Sequence, residues 1–181
     1  MKHTRIKKTD HPLFAQAWRL YKKSFPPQER RQLRTQRKVM DNPRYHFDLI
    51  TDEGLFVGFV LWWGFDDIRY IEHLATSPRL RGKGCGRRIL ERFVSGSDAP
   101  ILLEVEHPTD EIGWRRIGFY RRAGFILNEY PYSHPPYKTG GEYVPLMLMT
   151  WPDALTKSNL KRFLEKHHPV IHESVLSDAG K

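Results

Sequence analysis

The sequence predicts a mixed α/β fold, one mixed sheet with helices around it, on three observations. Short strand-like runs separated by turn signals fill residues 45 to 75. Segments with apolar residues at helical spacing alternate with further strands after that point. A glycine-rich turn, Arg81-Gly82-Lys83-Gly84-Cys85-Gly86, joins one such strand to an amphipathic helix.

Arg5 to Lys8 reads as a short edge strand. Pro12 to Phe25 carries Leu13, Phe14, Ala17, Trp18, Leu20 and Tyr21 at helical spacing and is ended by Pro26-Pro27. Gln28 to Met40 is a second helical segment, strongly basic and poor in apolar anchors, so it is expected on the surface; Asp41-Asn42-Pro43 stops it. Tyr45 to Thr51, Leu55 to Trp63 and Arg69 to Ala75, joined at Asp52-Glu53-Gly54 and Asp66-Asp67, form an antiparallel meander.

Helical spacing returns at Gly84 to Val94, with Ile89, Leu90, Phe93 and Val94 on one side and Arg87, Arg88, Glu91 and Arg92 on the other. Ile101 to Val105 is a strand, Gly113 to Ala123 a helix ended by Gly124, and Phe125 to Asn128 another strand. Tyr130 to Gly141 reads as a long loop of functional character, Tyr143 to Thr150 closes the sheet, and Ser158 to His167 is a helix capped by Ser158 and followed by a loose tail. The chain of 181 residues is expected to form a single domain, with a core at 45–150 and a C-terminal helix and tail at 151–181.

Composition narrows the function classes. A hydrophobic share of 39% with scattered charge describes a globular chain. The longest apolar run, Gly54 to Phe65, is shorter than the roughly 18 residues of a membrane-spanning helix, so no membrane partner is expected. The single cysteine, Cys85, forms neither an internal disulfide nor a cysteine-based zinc site; no metal is expected, and a cytoplasmic location fits. Residues 1–40 hold 12 Lys and Arg against 2 Asp and Glu, a block that suits either a solvated face or an anionic partner or substrate. No RNA or DNA recognition motif supports a nucleic-acid partner.

The glycine-rich turn follows a strand and opens a helix, so it offers free backbone N–H groups and the positive end of a helix dipole to a phosphate. Arg79, Arg81, Lys83, Arg87, Arg88 and Arg92 surround it, which suits a ligand with several phosphates. A dinucleotide fingerprint would need glycine where Arg87 stands, and a P-loop would need a longer loop ending in Gly-Lys-Ser/Thr.

On these residues the chain resembles the GNAT superfamily of acyl-CoA-dependent N-acetyltransferases, whose signature Gln/Arg-x-x-Gly-x-Gly/Ala is met by Arg81 to Gly86. A second family element, a Tyr shortly before a Gly-Phe pair, is matched by Tyr120 and Gly124-Phe125. The resemblance is strongest from Tyr70 to Phe125. Where many members have Asn near the start of the second helix, this chain has Gly113, so no cofactor contact is carried over there.

The resemblance implies a GNAT fold: a mostly antiparallel sheet of about six to seven strands with one parallel, splayed pair. It implies acetyl-CoA as donor, with cofactor contacts from Leu74, Ala75 and Thr76 along the pantetheine arm and from Arg81, Gly82, Lys83, Gly84, Cys85, Gly86 and Arg87 at the phosphates. It further implies direct transfer to a primary amine of a small molecule or peptide, and allows a homodimer. The competing reading is a non-catalytic acyl-CoA-binding regulatory module that turns its basic N-terminal helix toward an anionic partner.

Acyl transfer to an amine needs a base for the ammonium and a proton for the departing thiolate. Glu72 is the first candidate base, and strand alternation is expected to put it on the face of Leu74 with Ile71 and His73 opposite. Glu104 and Glu106 share a face of the next strand and are further candidates; His73 and His107 are weaker ones. Tyr120 is the candidate acid on the family pattern. Cys85 sits where a small residue suffices, so ping-pong chemistry is not expected. The N-terminal helices and the Tyr130 to Gly141 loop, with Tyr130, Tyr132 and Tyr137, are expected to shape the acceptor pocket.

Overall fold

The structure, a computed structural model, describes residues 1–138 and 140–176, the last three by backbone alone. Thr139, in the expected loop, and 177–181, at the end of the expected tail, lie outside the described residues. One mixed sheet organises them. Its strands are β1 (Lys2–Ile6), β2 (Tyr45–Asp52), β3 (Leu55–Gly64), β4 (Arg69–Thr76), β5 (Ile101–Glu106), β6 (Ile126–Asn128), β7 (Ser133–His134) and β8 (Val144–Trp151). The order is β1-β2-β3-β4-β5-β8-β6, with the two-residue β7 on β8; every pairing is antiparallel except β4 with β5.

Alternation along the strands feeds two cores, one per face. Phe47, Phe59, Leu61, Tyr70 and Leu148 pack with Phe14, Ala17, Leu20 and Tyr21 of α1 (Phe14–Ser24), Val39 and Met40 of α2 (Leu33–Met40), and Phe163 and Ile171 from the C-terminal helices. Ile50, Val60, Ile71, Ile101 and Leu103 pack with Ile89, Leu90 and Phe93 of α3 (Cys85–Ser95) and Ile117 of α4 (Glu111–Arg122). A fully buried Leu, Ile, Val, Phe or Met side chain among these contributes about 1.5–3 kcal/mol.

Three expectations are corrected. The basic segment is not one surface helix: a 3₁₀ turn at Pro27–Glu29 leads through an extended stretch into α2, and Arg31, Thr35, Gln36, Val39 and Met40 are buried. The C-terminal helix does not stop at His167. Thr156, rather than Ser158, caps α5 (Lys157–Arg162) by accepting from Asn159 N, and a π-helical turn at Phe163–His167 continues into α6 (His168–Leu176). A proline at 169 would normally end an α-helix because it lacks a donor and crowds the preceding turn; the wider π turn just before it lets the chain continue.

The third correction sits in β4. Leu61 pairs with His73 and Trp62 with Ile71, so Glu72 is the extra residue of a bulge. The bulge breaks the pleat, and Glu72 and His73 turn toward the same core while Leu74 packs with the α3 and α4 side. Simple alternation had placed Glu72 with Leu74 and His73 opposite.

Candidate functional site

The β4–β5 ladder runs from Arg69↔Ile101 to Ile71↔Leu103 and ends there, although β4 continues to Thr76 and β5 to Glu106. The ladder therefore stops at the bulge, and the strands part into a cleft of about 340 Å³ lined by Glu72 to Thr76 on one strand and Glu104 to Glu106 on the other. Arg81 and Gly86 of the glycine-rich turn, Phe119 and Tyr120 of α4, and Phe25, Glu29, His134 and Tyr137 complete the walls. Past Ile71, among the described residues, no strand pairs with β4 on its β5 side.

The turn has the geometry of an anion cradle. Gly82 and Gly84 have φ of +76° and +72°, a left-handed conformation costly for other residues, and among the described residues nothing lies within 4 Å of where their Cβ would be. Gly84 is the N-cap of α3, whose first N–H groups lack partners within the helix. Arg81, Lys83 and Arg87 are exposed around it and Cys85 is buried beneath. Residues of this kind fit a pyrophosphate. Gly113 has a steric reason: a Cβ there would lie 2.8 Å from Pro108 Cα.

Two buried networks flank the cleft. In the first, the guanidinium of Arg31 pairs with Glu72 Oε1, both side chains fully buried; Arg31 also donates to the Ile171 carbonyl at 2.9 Å, and the Tyr137 hydroxyl donates to Glu72 Oε1 at 3.0 Å. Burial pushes the Glu72 carboxyl up, but Arg31, His73 and Tyr137 together hold it below its ordinary value. Beside it, His73 Nε2 lies 2.8 Å from the Glu29 carbonyl, and burial brings the imidazole down to about 4 in spite of Glu72.

In the second network, the Tyr132 hydroxyl donates to Glu104 Oε1, and His134 Nε2 stands 3.7 Å from Oε2. Burial raises the Glu104 carboxyl to about 8, against the hydrogen bonds of Tyr132 and Tyr70. The two strand carboxylates are thus driven apart: Glu72 stays charged, whereas Glu104 exchanges a proton near neutrality. Burial likewise raises Glu29, helped by the charges of Glu106 and Glu104.

Of the residues predicted from sequence, Glu72, Glu104, Glu106, Tyr120, Leu74, Ala75, Thr76, Arg81 and Gly86 all line the cleft. Gly82, Lys83, Gly84, Cys85 and Arg87 lie in or just after the turn without lining it. Glu106 is half-exposed and paired with Arg116. Tyr120 is packed against Phe119 and Phe125, and burial raises its phenol to about 12. His73 lines the cleft, but His107 is exposed and outside it. Arg31, Glu29 and His134 were missed, as were His168 and His172; the four-residue spacing of that last pair on a helix was the available signal.

The GNAT acetyltransferase domain family matches residues 43–127. Among solved structures, a protein assigned to the GNAT acetyltransferases from Bacteroides thetaiotaomicron is 36% identical and superposes with a TM-score of 0.88 over 95% of this chain and 98% of its own. The ribosomal-protein-S18-alanine N-acetyltransferase from Escherichia coli shares the fold at 20% identity, TM-score 0.55, over 87% of this chain and 98% of its own. So does an aminoglycoside 6′-N-acetyltransferase complexed with coenzyme A, at 18% identity and TM-score 0.55, over 83% and 96%. No curated protein matches. With its parallel pair opening at a strand bulge beside a glycine-rich helix start, and with this relative along nearly its whole length, the chain belongs to the GNAT acetyltransferase superfamily.

Proposed function

We propose that this protein transfers an acetyl group from acetyl-CoA to a primary amine of a small molecule or peptide by direct attack on the thioester, with Glu104 as the base and Tyr120 as the donor to the leaving thiolate. The observation that carries this reading is Glu104 itself: a buried carboxyl on the wall of the opened cleft, shifted to about 8. Arg81, Lys83, Arg87 and the N–H groups of Gly82, Gly84, Cys85 and Gly86 would take the phosphates, and the backbone of Leu74, Ala75 and Thr76 the pantetheine arm.

Magnitudes decide between the carboxylates. Moving a proton from an amine of pKa about 10.4 to a base near 8 costs about 3 kcal/mol, against about 8 kcal/mol for an ordinary glutamate near 4.3 and more for Glu72, which is held lower still. Glu72 is therefore better suited to fixing the bulge than to accepting the proton, and Glu106, paired with Arg116 at the mouth, to orienting or admitting the acceptor.

In the step, Glu104 takes one proton from the acceptor ammonium and the nitrogen lone pair bonds to the thioester carbon. The C–S bond then breaks; Tyr120 gives its O–H proton to the departing thiolate and takes up in its place the second proton that the nitrogen loses as the amide forms, so one ammonium proton ends on Glu104 and the other replaces the one now on the thiol. Tyr120 remains a phenol throughout the neutral range, which keeps it available as a donor. The cleft's carboxylates Glu29, Glu104 and Glu106 favour a cationic acceptor, and Arg31 of the basic block is turned inward to Glu72.

The test is thiol release from acetyl-CoA with butylamine, a linear diamine, an aminoglycoside, and peptides with free N-termini or lysines. Release stimulated by one class, with the acetylated amine seen by mass spectrometry, supports the reading; acetyl-CoA binding without product from any of them contradicts it.

A further inference from the structure

The Tyr132 hydroxyl that donates to Glu104 lies 2.8 Å from Nε2 of His168, the first residue of α6. Tyr132 is 8% exposed, whereas His168 is only partly buried, so two side chains connect a buried carboxyl to the edge of the protein. Both lie outside the 43–127 family match. A buried base that takes a proton from every acceptor must lose it before the next turnover, and bound donor and acceptor would cover its cleft side.

We propose that Tyr132 and His168 form a proton relay that empties Glu104 to solvent away from the cleft, an inference that rests on reading Glu104 as the base. With Glu104 protonated, its O–H donates to the Tyr132 oxygen, and the Tyr132 hydroxyl points to Nε2 of a His168 protonated at Nδ1. The Glu104 proton moves to the Tyr132 oxygen as the Tyr132 proton moves to Nε2. This leaves a carboxylate, a neutral tyrosine and an imidazolium. His168 then releases its Nδ1 proton to water, so one proton has passed from Glu104 to solvent.

The surroundings of His168 suit a transient carrier. Tyr132 faces it from the loop, His134 from β7 with ring centroids 6.3 Å apart, His172 from its own helix at 4.8 Å, and Phe163 from the π turn at 5.4 Å. Burial, and then His134, bring His168 down to about 4, so an imidazolium formed there gives up its proton readily. A residue serving only to anchor Tyr132 would need no titratable ring.

The chain has a signature that does not depend on turnover. When Glu104 is charged, Tyr132 donates to it and His168 must be the Nε2–H tautomer; when Glu104 is protonated, the hydrogen bonds reverse and His168 becomes the Nδ1–H tautomer. In ¹⁵N-histidine-labelled protein, the His168 tautomer is expected to switch with a midpoint near 8 and to lose that switch in E104Q and in Y132F.

In the thiol-release assay, using the amine of the panel that reacts fastest, H168Q is expected to lower kcat about tenfold with KM unchanged, and imidazole in the buffer to restore it. A constant tautomer across this range, an H168Q protein that turns over like wild type, or a loss that imidazole does not recover would each overturn the relay. A switch in a protein inert toward every amine would support the proton chain while contradicting acetyl transfer; a missing switch in an active protein removes the relay alone.

Discussion

Arg31 and Glu72 form an ion pair whose two side chains are both fully buried, holding the extended segment before α2 to the bulge in β4. Removing one partner of such a pair leaves an uncompensated buried charge, at a cost of about 3–5 kcal/mol. R31M and E72Q are each expected to lower the urea midpoint accordingly, and R31M/E72L together to recover part of the loss. The Glu72 carboxyl is held below its unfolded value, so its stabilisation is present above that unfolded value and is lost as pH falls through the folded one. Urea unfolding between pH 3 and 7 should show that acid loss in wild type and a smaller one in E72Q; superimposable curves would contradict the pairing.

Glu104 has the opposite linkage. Its folded value, about 8, lies well above that of an ordinary glutamate, so the folded state holds the proton more tightly and the stability this group contributes is lost as pH rises between the two. E104Q cannot ionise and is expected to flatten this slope. Thermal unfolding from pH 5 to 9 should show wild type losing stability relative to E104Q as the pH rises; a constant difference would place Glu104 at an ordinary value.

Gly84 sits at φ +72° as the N-cap of α3. G84A should strain the turn by about 1–2 kcal/mol and tilt the N–H groups proposed above to take the phosphates. Its KM for acetyl-CoA is expected to rise about tenfold with kcat at saturation nearly kept. A fall in kcat at unchanged KM would move the turn's role from binding to chemistry.

Tyr120 should show the reverse pattern. Y120F keeps the ring packed between Phe119 and Phe125 and removes only the donor. The expected result is kcat lower by about 10- to 100-fold, with acetyl-CoA affinity within twofold of wild type by calorimetry. Unchanged turnover would exclude it from the proton inventory.

Much of this organisation was legible in the residues. Period-two alternation located β2 to β5 and β8 to within a residue or two, because one strand face after another must meet a helix-covered core. The turn at Arg81 to Gly86 was legible because left-handed backbone at a helix start all but requires glycine. What escaped depended on contacts distant in the chain. A one-residue bulge at Glu72 leaves no mark in the sequence, yet it redirects that side chain to Arg31, 41 residues earlier. Arg31 looked like one charge in a solvated run because its partner comes from another element. The helix was expected to end at His167 and lead into a loose tail, which hid α6 and with it the side chains beyond Glu104.

The central claim is that the carboxyl of Glu104 accepts the acceptor's proton. The most direct test is the pH dependence of kcat/KM for thiol release from acetyl-CoA, with the best amine of the panel, in wild type and E104Q. A base must be deprotonated, so wild-type activity should rise with pH through an apparent pKa near 8, and E104Q should be at least about 100-fold slower with that step gone. An E104Q enzyme that keeps both the rate and the step near 8 would contradict the account.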